Sequence, residues 1–175
     1  MAQRDRGGED RVGPLEEFEG NLRERLEKAV RDQETIVVCG GGWENIELLD
    51  ILAKSIPKNH KVIELEPRFD VGLGQAVRDA FPDHVVLTYK NSLAEIAAAA
   101  SKITGDYLIV PNMLLRDIEV FERHIAHDFK GGRILGIKDA AAKWDRKLHS
   151  IAADVLIQTI PRDQAPLGRA KQESR

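Results

Sequence analysis

The chain has 175 residues, 42% of them hydrophobic and 31% charged, with a formal net charge of -3. That length suits one ordinary domain with its own core and is too short for two comfortable ones. The balanced charge excludes a global attraction to nucleic acid or to an anionic membrane. Cys39 is the single cysteine, which excludes an intrachain disulfide and a cysteine-based zinc cluster and fits a reducing compartment. No apolar stretch approaches the roughly 18 residues of a membrane span, and "MAQRDRGGED" lacks the apolar centre of a signal peptide. The chain therefore reads as soluble and cytoplasmic, without direct membrane insertion.

In chain order, residues 1–13 and 162–175 are polar and read as flexible tails. Between them lie an N-terminal helix over 14–33 and a nucleotide-binding type of domain over 34–161. In the first helix Leu15, Phe18, Leu22, Leu26 and Ala29 alternate three and four apart, which makes one apolar stripe. That stripe docks either on this domain's own sheet or on another subunit. From Thr35 onward short β-branched runs alternate with helical periods. The runs are "TIVVC", "KVIEL", "HVVLT", "DYLIV", "RILGI" and "DVLIQT". Helical patterns separate them: Ile46, Leu49, Leu52 and Ala53; Val77, Ala80 and Phe81; Leu93, Ile96 and Ala97; Ile118, Phe121, Glu122 and Ile125; Trp144, Leu148 and Ile151. Ser92 and Glu95 have capping-box spacing, and Gly105, Gly131 and Gly132 fall where helices end, as left-handed caps would. Strands that are apolar throughout, each followed by a helix, indicate a mostly parallel sheet covered on both faces. The fold class expected is a doubly wound, Rossmann-like α/β domain with six strands.

In such a sheet ligands sit beyond the C-terminal strand ends. The first loop, "CGGGWEN", offers Gly40, Gly41, Gly42 and Trp43 as candidate cofactor contacts. Gly40 would supply a tight turn and Gly42 a close backbone approach, with the helix N-terminus aimed at an anion. The third glycine of a G-x-G-x-x-G series would fall on Asn45, so the series is incomplete, and Glu44 is ill placed beside a pyrophosphate. Glu64 ends the second strand about twenty residues beyond Gly42, the separation at which an acid holds a ribose diol. The alternative is a plain strand-to-helix turn with solvated glutamates. Pro111 and Asn112 end the fourth strand, where a ligand edge would be read or a turn would start the next helix. Lys138 and Asp139 lie at the fifth strand's mouth, where Asp139 also suits an N-cap. His124 and His127, one helical turn apart near Glu122 and Asp128, either share a metal or decorate a solvated helix end. Ser92 has no evident base partner, and no serine stands in a G-x-S-x-G elbow, so no catalytic residues are assigned.

The succession "IVVCGGG", "VIELEP", "GDYLIVPN", "RILGI" and "KLHSIAADVLIQTIP" resembles the regulator of potassium conductance domain, also called the TrkA N-terminal domain, over about residues 34–161. The resemblance implies a nucleotide site at Gly40 and Gly42 with Glu64 as its ribose acid, and NAD or another adenine nucleotide as ligand. It also implies a homodimer or larger homo-oligomer, and a membrane transporter or channel subunit engaged in trans. Asn45, Glu64 in place of the family's Asp, and Ala153 depart from its motifs, which leaves open a scaffold with an emptied site. The glycine loop, the acid of strand two and "FKGGRILGI" are also similar to class I S-adenosylmethionine methyltransferases, the one enzymatic alternative. The 38 residues after Ile137 do not hold the two further strands that fold requires. The expectation is a non-enzymatic, nucleotide-sensing regulatory domain.

Overall fold

The computed structural model describes residues 10–12, 20–40, 43–68, 73–138 and 151–159. Seven strands form one sheet: β1 Asp10–Val12, β2 Thr35–Cys39, β3 Val62–Pro67, β4 Val85–Tyr89, β5 Tyr107–Met113, β6 Gly132–Ile137 and β7 Val155–Thr159. Their order is β1-β7-β2-β6-β5-β3-β4, and every pairing is parallel. The six expected strands all form. The seventh, β1, falls inside the segment read as an N-terminal tail and runs beside β7, with Asp10 opposite Ile157.

The helices are α1 Gly20–Arg31, α2 Trp43–Lys54, α3 Gln75–Arg78, α4 Ala94–Ala100 and α5 Ile118–Phe121, the last continuing as a π-helical turn over Glu122–Ala126. Connections from β1 to β4 advance along the sheet in one direction, and those from β4 to β7 return. Right-handed crossovers running in opposite directions put their helices on opposite faces. Accordingly, Leu26, Leu49, Leu52 and Val77 from α1 to α3 pack with Ile36, Val38 and Ile109 on one face. Leu93, Ala97, Phe121 and Ile125 pack with Val37, Cys39, Leu108 and Val110 on the other. Covered twice, β2 is buried at all five positions. The edge strand β4 instead alternates between half-buried and exposed residues over its first four positions.

The N-terminal helix docks on its own sheet. Leu26, Ala29 and Val30 are buried, and the Tyr107 hydroxyl donates to the Val30 carbonyl at 2.6 Å. Burial of Leu26 and of Val30 stabilises this contact by about 1.5 to 3 kcal/mol each. Leu15 and Phe18, the start of the stripe, lie outside the described residues, as do Asp139, Trp144 and Leu148.

The glycines expected as left-handed caps have another role. Gly131 and Gly132 lack a positive φ. A Cβ on Gly131 would stand 2.2 Å from the Asp106 carbonyl oxygen, and one on Gly132 would stand 2.8 Å from the Tyr107 ring. They allow close packing where β6 begins. The left-handed cap is instead Gln33, at φ 56° after α1. Gln33 N donates to the Val30 carbonyl and Glu34 N to the Ala29 carbonyl, both at 3.0 Å, which is the paired bonding of a Schellman motif. A side chain in that conformation costs about 1 to 2 kcal/mol. Gln33→Gly should therefore raise the unfolding free energy by about 1 kcal/mol in urea titration; an unchanged or lower value would show that the cap is not strained.

Candidate functional site

The strand order creates three crevices at the C-terminal sheet edge where neighbouring strands lead to opposite faces. One lies between β2 and β6, and the other two flank β3, between β5 and β3 and between β3 and β4. The sequence places its glycine loop at the first and Glu64 beside the other two.

At the first crevice Gly40 follows β2 with φ 147°, a conformation glycine adopts freely. A Cβ there would lie 2.2 Å from Thr159 Oγ1 and 2.9 Å from its carbonyl oxygen. Asn45, in the first turn of α2 and buried, turns its side chain back across this gap. Its Nδ2 donates to the Gly40 carbonyl at 2.9 Å and to the Ile137 carbonyl at 3.4 Å. Its Oδ1 accepts from the Thr159 hydroxyl at the end of β7. Gly40 N donates to Ile137 at 3.3 Å. The ends of β2, β6 and β7 and the start of α2 are thus joined by one buried set of polar bonds. Beneath it the Cys39 thiol faces the Ile157 carbonyl at 3.4 Å, and burial pushes its pKa up to about 11, so it is an inert protonated thiol. Gly41 and Gly42 lie outside the described residues. Trp43 opens α2.

Glu64 is not presented to a ribose. Its strand stands three places from β2, at roughly 14 Å for strands about 4.8 Å apart, whereas a Rossmann acid occupies the neighbouring strand. Its side chain is fully buried. Oε1 accepts from Leu73 N at 3.0 Å and from Arg78 Nη2 at 2.9 Å. Oε2 accepts from Arg78 Nε at 3.1 Å and lies 3.1 Å from His84 Nε2. Arg78 also bonds Glu66. Burial works against ionisation of Glu64, but the contacts from His84, Arg78 and Leu73 outweigh it and hold its pKa below the ordinary value of 4.5. Glu66 moves the other way, raised by burial and by the charge of Glu64 beside it. This cluster fastens α3 to β3. Arg78 and His84 escaped the reading because nothing in their spacing to Glu64 follows a single-element period; the one available signal was a glutamate inside the apolar run "VIEL".

The remaining candidates are dispersed. Pro111 is buried, and its carbonyl oxygen would lie 2.1 Å from a Cβ on Gly136, at a bulge where β5 slips against β6. Asn112 is buried and engaged. Ser92 donates to Asp117 Oδ1 at 2.8 Å; this buried aspartate also accepts from Leu93 N. The pair ties the start of α4 to α5, and no histidine among the described residues bonds to it. The Glu95 carboxylate accepts from Lys90 N and Asn91 N, so the capping signal marks a real helix start. His124 is exposed, and His127 pairs with Asp128 at 2.9 Å. Among the described residues no three His, Cys, Asp or Glu side chains converge as a cation site, and no helix is long and apolar enough to cross a membrane.

No protein-family profile matches the sequence, and no curated protein matches it. Among solved structures the fold is similar to the VirB11 ATPase of the Brucella suis type IV secretion system, crystallised in complex with sulphate. The TM-score is 0.56 and the identity 21%, over 68% of this chain and 35% of that one. The likeness is one of α/β fold, and this chain spans little more than a third of the ATPase.

Two substitutions probe the two polar sets. Thr159→Val keeps the shape and removes the donor to Asn45, so stability should fall by about 1 to 3 kcal/mol, the cost of an unsatisfied buried acceptor. An unchanged urea midpoint would show that the hydroxyl holds nothing. Glu64→Gln should cost about 3 kcal/mol at neutral pH, because it removes the fully buried carboxylate that Arg78 pairs with and leaves Arg78 only Glu66. The pH dependence follows from the direction of the shift. With a folded pKa below the unfolded one, Glu64 contributes stability that is present above 4.5 and lost as pH falls through the folded value. Glu66 opposes it, losing its contribution as pH rises through its raised folded value. The difference between wild type and Glu64→Gln reports Glu64 together with the relief of Glu66 from its charge, and it should shrink on acidification below pH 4.5; a difference that does not change with pH would contradict the assignment.

Proposed function

We propose that this chain is a non-catalytic α/β protein that retains the architecture of a nucleotide-binding domain without its nucleotide site, and that it acts through association with other protein surfaces. The observation that carries this reading is the buried contact of Asn45 with Gly40 and Thr159. A phosphate-binding loop keeps backbone and side-chain donors turned toward an anion. Here the Asn45 and Thr159 side chains are committed to each other and to the Gly40 and Ile137 carbonyls.

The similarity to an ATPase sets the chemical standard. Phosphate-loop enzymes use G-x-x-x-x-G-K-[ST], with the lysine on the β and γ phosphates and the hydroxyl on magnesium. Counted from Gly40, Gly41 or Gly42, the last three positions fall on Asn45-Ile46-Glu47, Ile46-Glu47-Leu48 or Glu47-Leu48-Leu49. None supplies the lysine or the hydroxyl. The end of β5, "VPNM", supplies no acid for a metal. Nucleotide sensing of the potassium-conductance type would need a free ribose acid, and the enclosure of Glu64 speaks against that role. A cytoplasmic location accords with the lone, buried and protonated Cys39.

Thermal melts and calorimetry with NAD, NADH, ATP and ADP with magnesium, and S-adenosylmethionine test the reading. A ligand present at about 100 times its Kd adds about 2.7 kcal/mol, enough to move Tm by several degrees. We expect no shift with any of the five. A saturable shift with NAD or an adenine nucleotide would replace this reading with nucleotide sensing, and one with S-adenosylmethionine alone would replace it with the methyltransferase reading.

A further inference from the structure

The two edges of the sheet differ. Beyond β7 the short strand β1 covers the edge, whereas among the described residues β4 is terminal and pairs only with β3. Natural sheets guard such edges with charges, proline, bulges or a covering segment. The β4 sequence "VVLTY" contains no charge and no proline. Its register with β3 is unbroken from Val85 to Tyr89. Among the described residues Val86 is one of two large hydrophobic side chains that are exposed.

The direction of the free backbone groups follows from one bond. Arg68 N donates to the Tyr89 carbonyl at 2.7 Å, so Tyr89 turns its backbone toward β3. Alternation then turns Leu87 and Val85 the same way and leaves the N-H and carbonyl of Val86 and Thr88 pointing off the sheet. In an antiparallel pair, directly opposite residues either both turn their backbone groups toward the partner or both turn them away. Two copies of β4 satisfy this when Val86 of each lies opposite Thr88 of the other, with the two-fold axis at Leu87.

Charge favours the antiparallel direction. Asp83 precedes the strand and Lys90 follows it, both exposed, and neither side chain makes an ion pair among the described residues. In that antiparallel register each Lys90 lies opposite the partner's His84, one residue from the partner's Asp83. A parallel neighbour would set lysine against lysine and aspartate against aspartate.

We propose that two copies of this chain join antiparallel along β4, extending their sheets into one continuous sheet through the backbone groups of Val86 and Thr88. A five-residue ribbon lies at the small end of protein interfaces, so the dimer is reversible and concentration-dependent. This does not depend on whether a nucleotide binds.

Sedimentation velocity over about a hundredfold range of concentration tests it. The wild type should pass from monomer to dimer. Val86→Pro should stay monomeric with an unchanged circular dichroism spectrum, since it removes an N-H that points off the sheet and an edge tolerates proline there. Lys90→Asp should weaken the dimer about threefold to tenfold, as surface ion pairs do, and adding Asp83→Lys should restore it. A wild type that is monomeric throughout, or a dimer that survives Val86→Pro, would overturn the proposal. Should Val86→Pro not fold, hydrogen exchange of the wild type decides. The Val86 and Thr88 amides should exchange more slowly at high concentration. Equal exchange at both concentrations, or protection that appears only on adding an unrelated extended peptide, would overturn the second copy as occupant.

Discussion

The end of β7 presses against the backbone of β2 at Gly40, and much of the molecule depends on how close that approach is. A Cβ on residue 40 would stand 2.2 Å from the Thr159 hydroxyl, a distance no packed structure tolerates. Glycine at this position lets the Thr159 hydroxyl reach the Asn45 side chain, and Asn45 in turn holds the carbonyls of Gly40 and Ile137. Three strand ends and the first turn of α2 are fixed by that set. The glycine therefore has a structural reason to be present that requires no phosphate.

The second polar centre works in the same manner. Glu64 brings a carboxylate into the interior at β3, and Arg78, His84 and the Leu73 amide compensate it. Leaving such a charge unpaired in the interior is costly, so the surrounding donors are committed to it. Ligand sites differ from this arrangement in a specific way: they keep donors and acceptors that the protein itself does not satisfy. Around Gly40 the Asn45 and Thr159 side chains are bonded to each other and to backbone, and the Glu64 carboxylate is taken up by Arg78 and the Leu73 amide. That common feature, rather than the lack of any single motif, is why we read the protein as one that acts through its surfaces.

Much of the fold was legible in the sequence. Six β-branched runs became six strands because each is short, apolar and bounded by a break in period. The apolar stripe of the first helix became a docked face because Leu26, Ala29 and Val30 keep the helical spacing. Strand order was not legible. It is decided by which face each crossover helix covers, and the residues of a strand buried on both faces look alike from either side. The misplacement of Glu64 follows from this. Its separation from Gly42 along the chain is that of a ribose acid, but α2 carries the chain past β6 and β5 before β3 is laid down. The left-handed cap was missed for a related reason: Gln33 carries no sign of a positive φ, whereas Gly131 and Gly132, chosen for their composition, are there to let the Asp106 carbonyl and the Tyr107 ring approach.

The Asn45 side-chain amide reports directly on whether the first crevice is closed. In nitrogen-labelled protein its two protons should exchange with water at least about 100-fold more slowly than those of the exposed Asn59. Their resonances should stay where they are when millimolar ATP with magnesium, or NAD, is added. Fast exchange in the free protein, or a saturable shift of these resonances with nucleotide, would contradict the account, because either result would mean that Asn45 is available to a ligand.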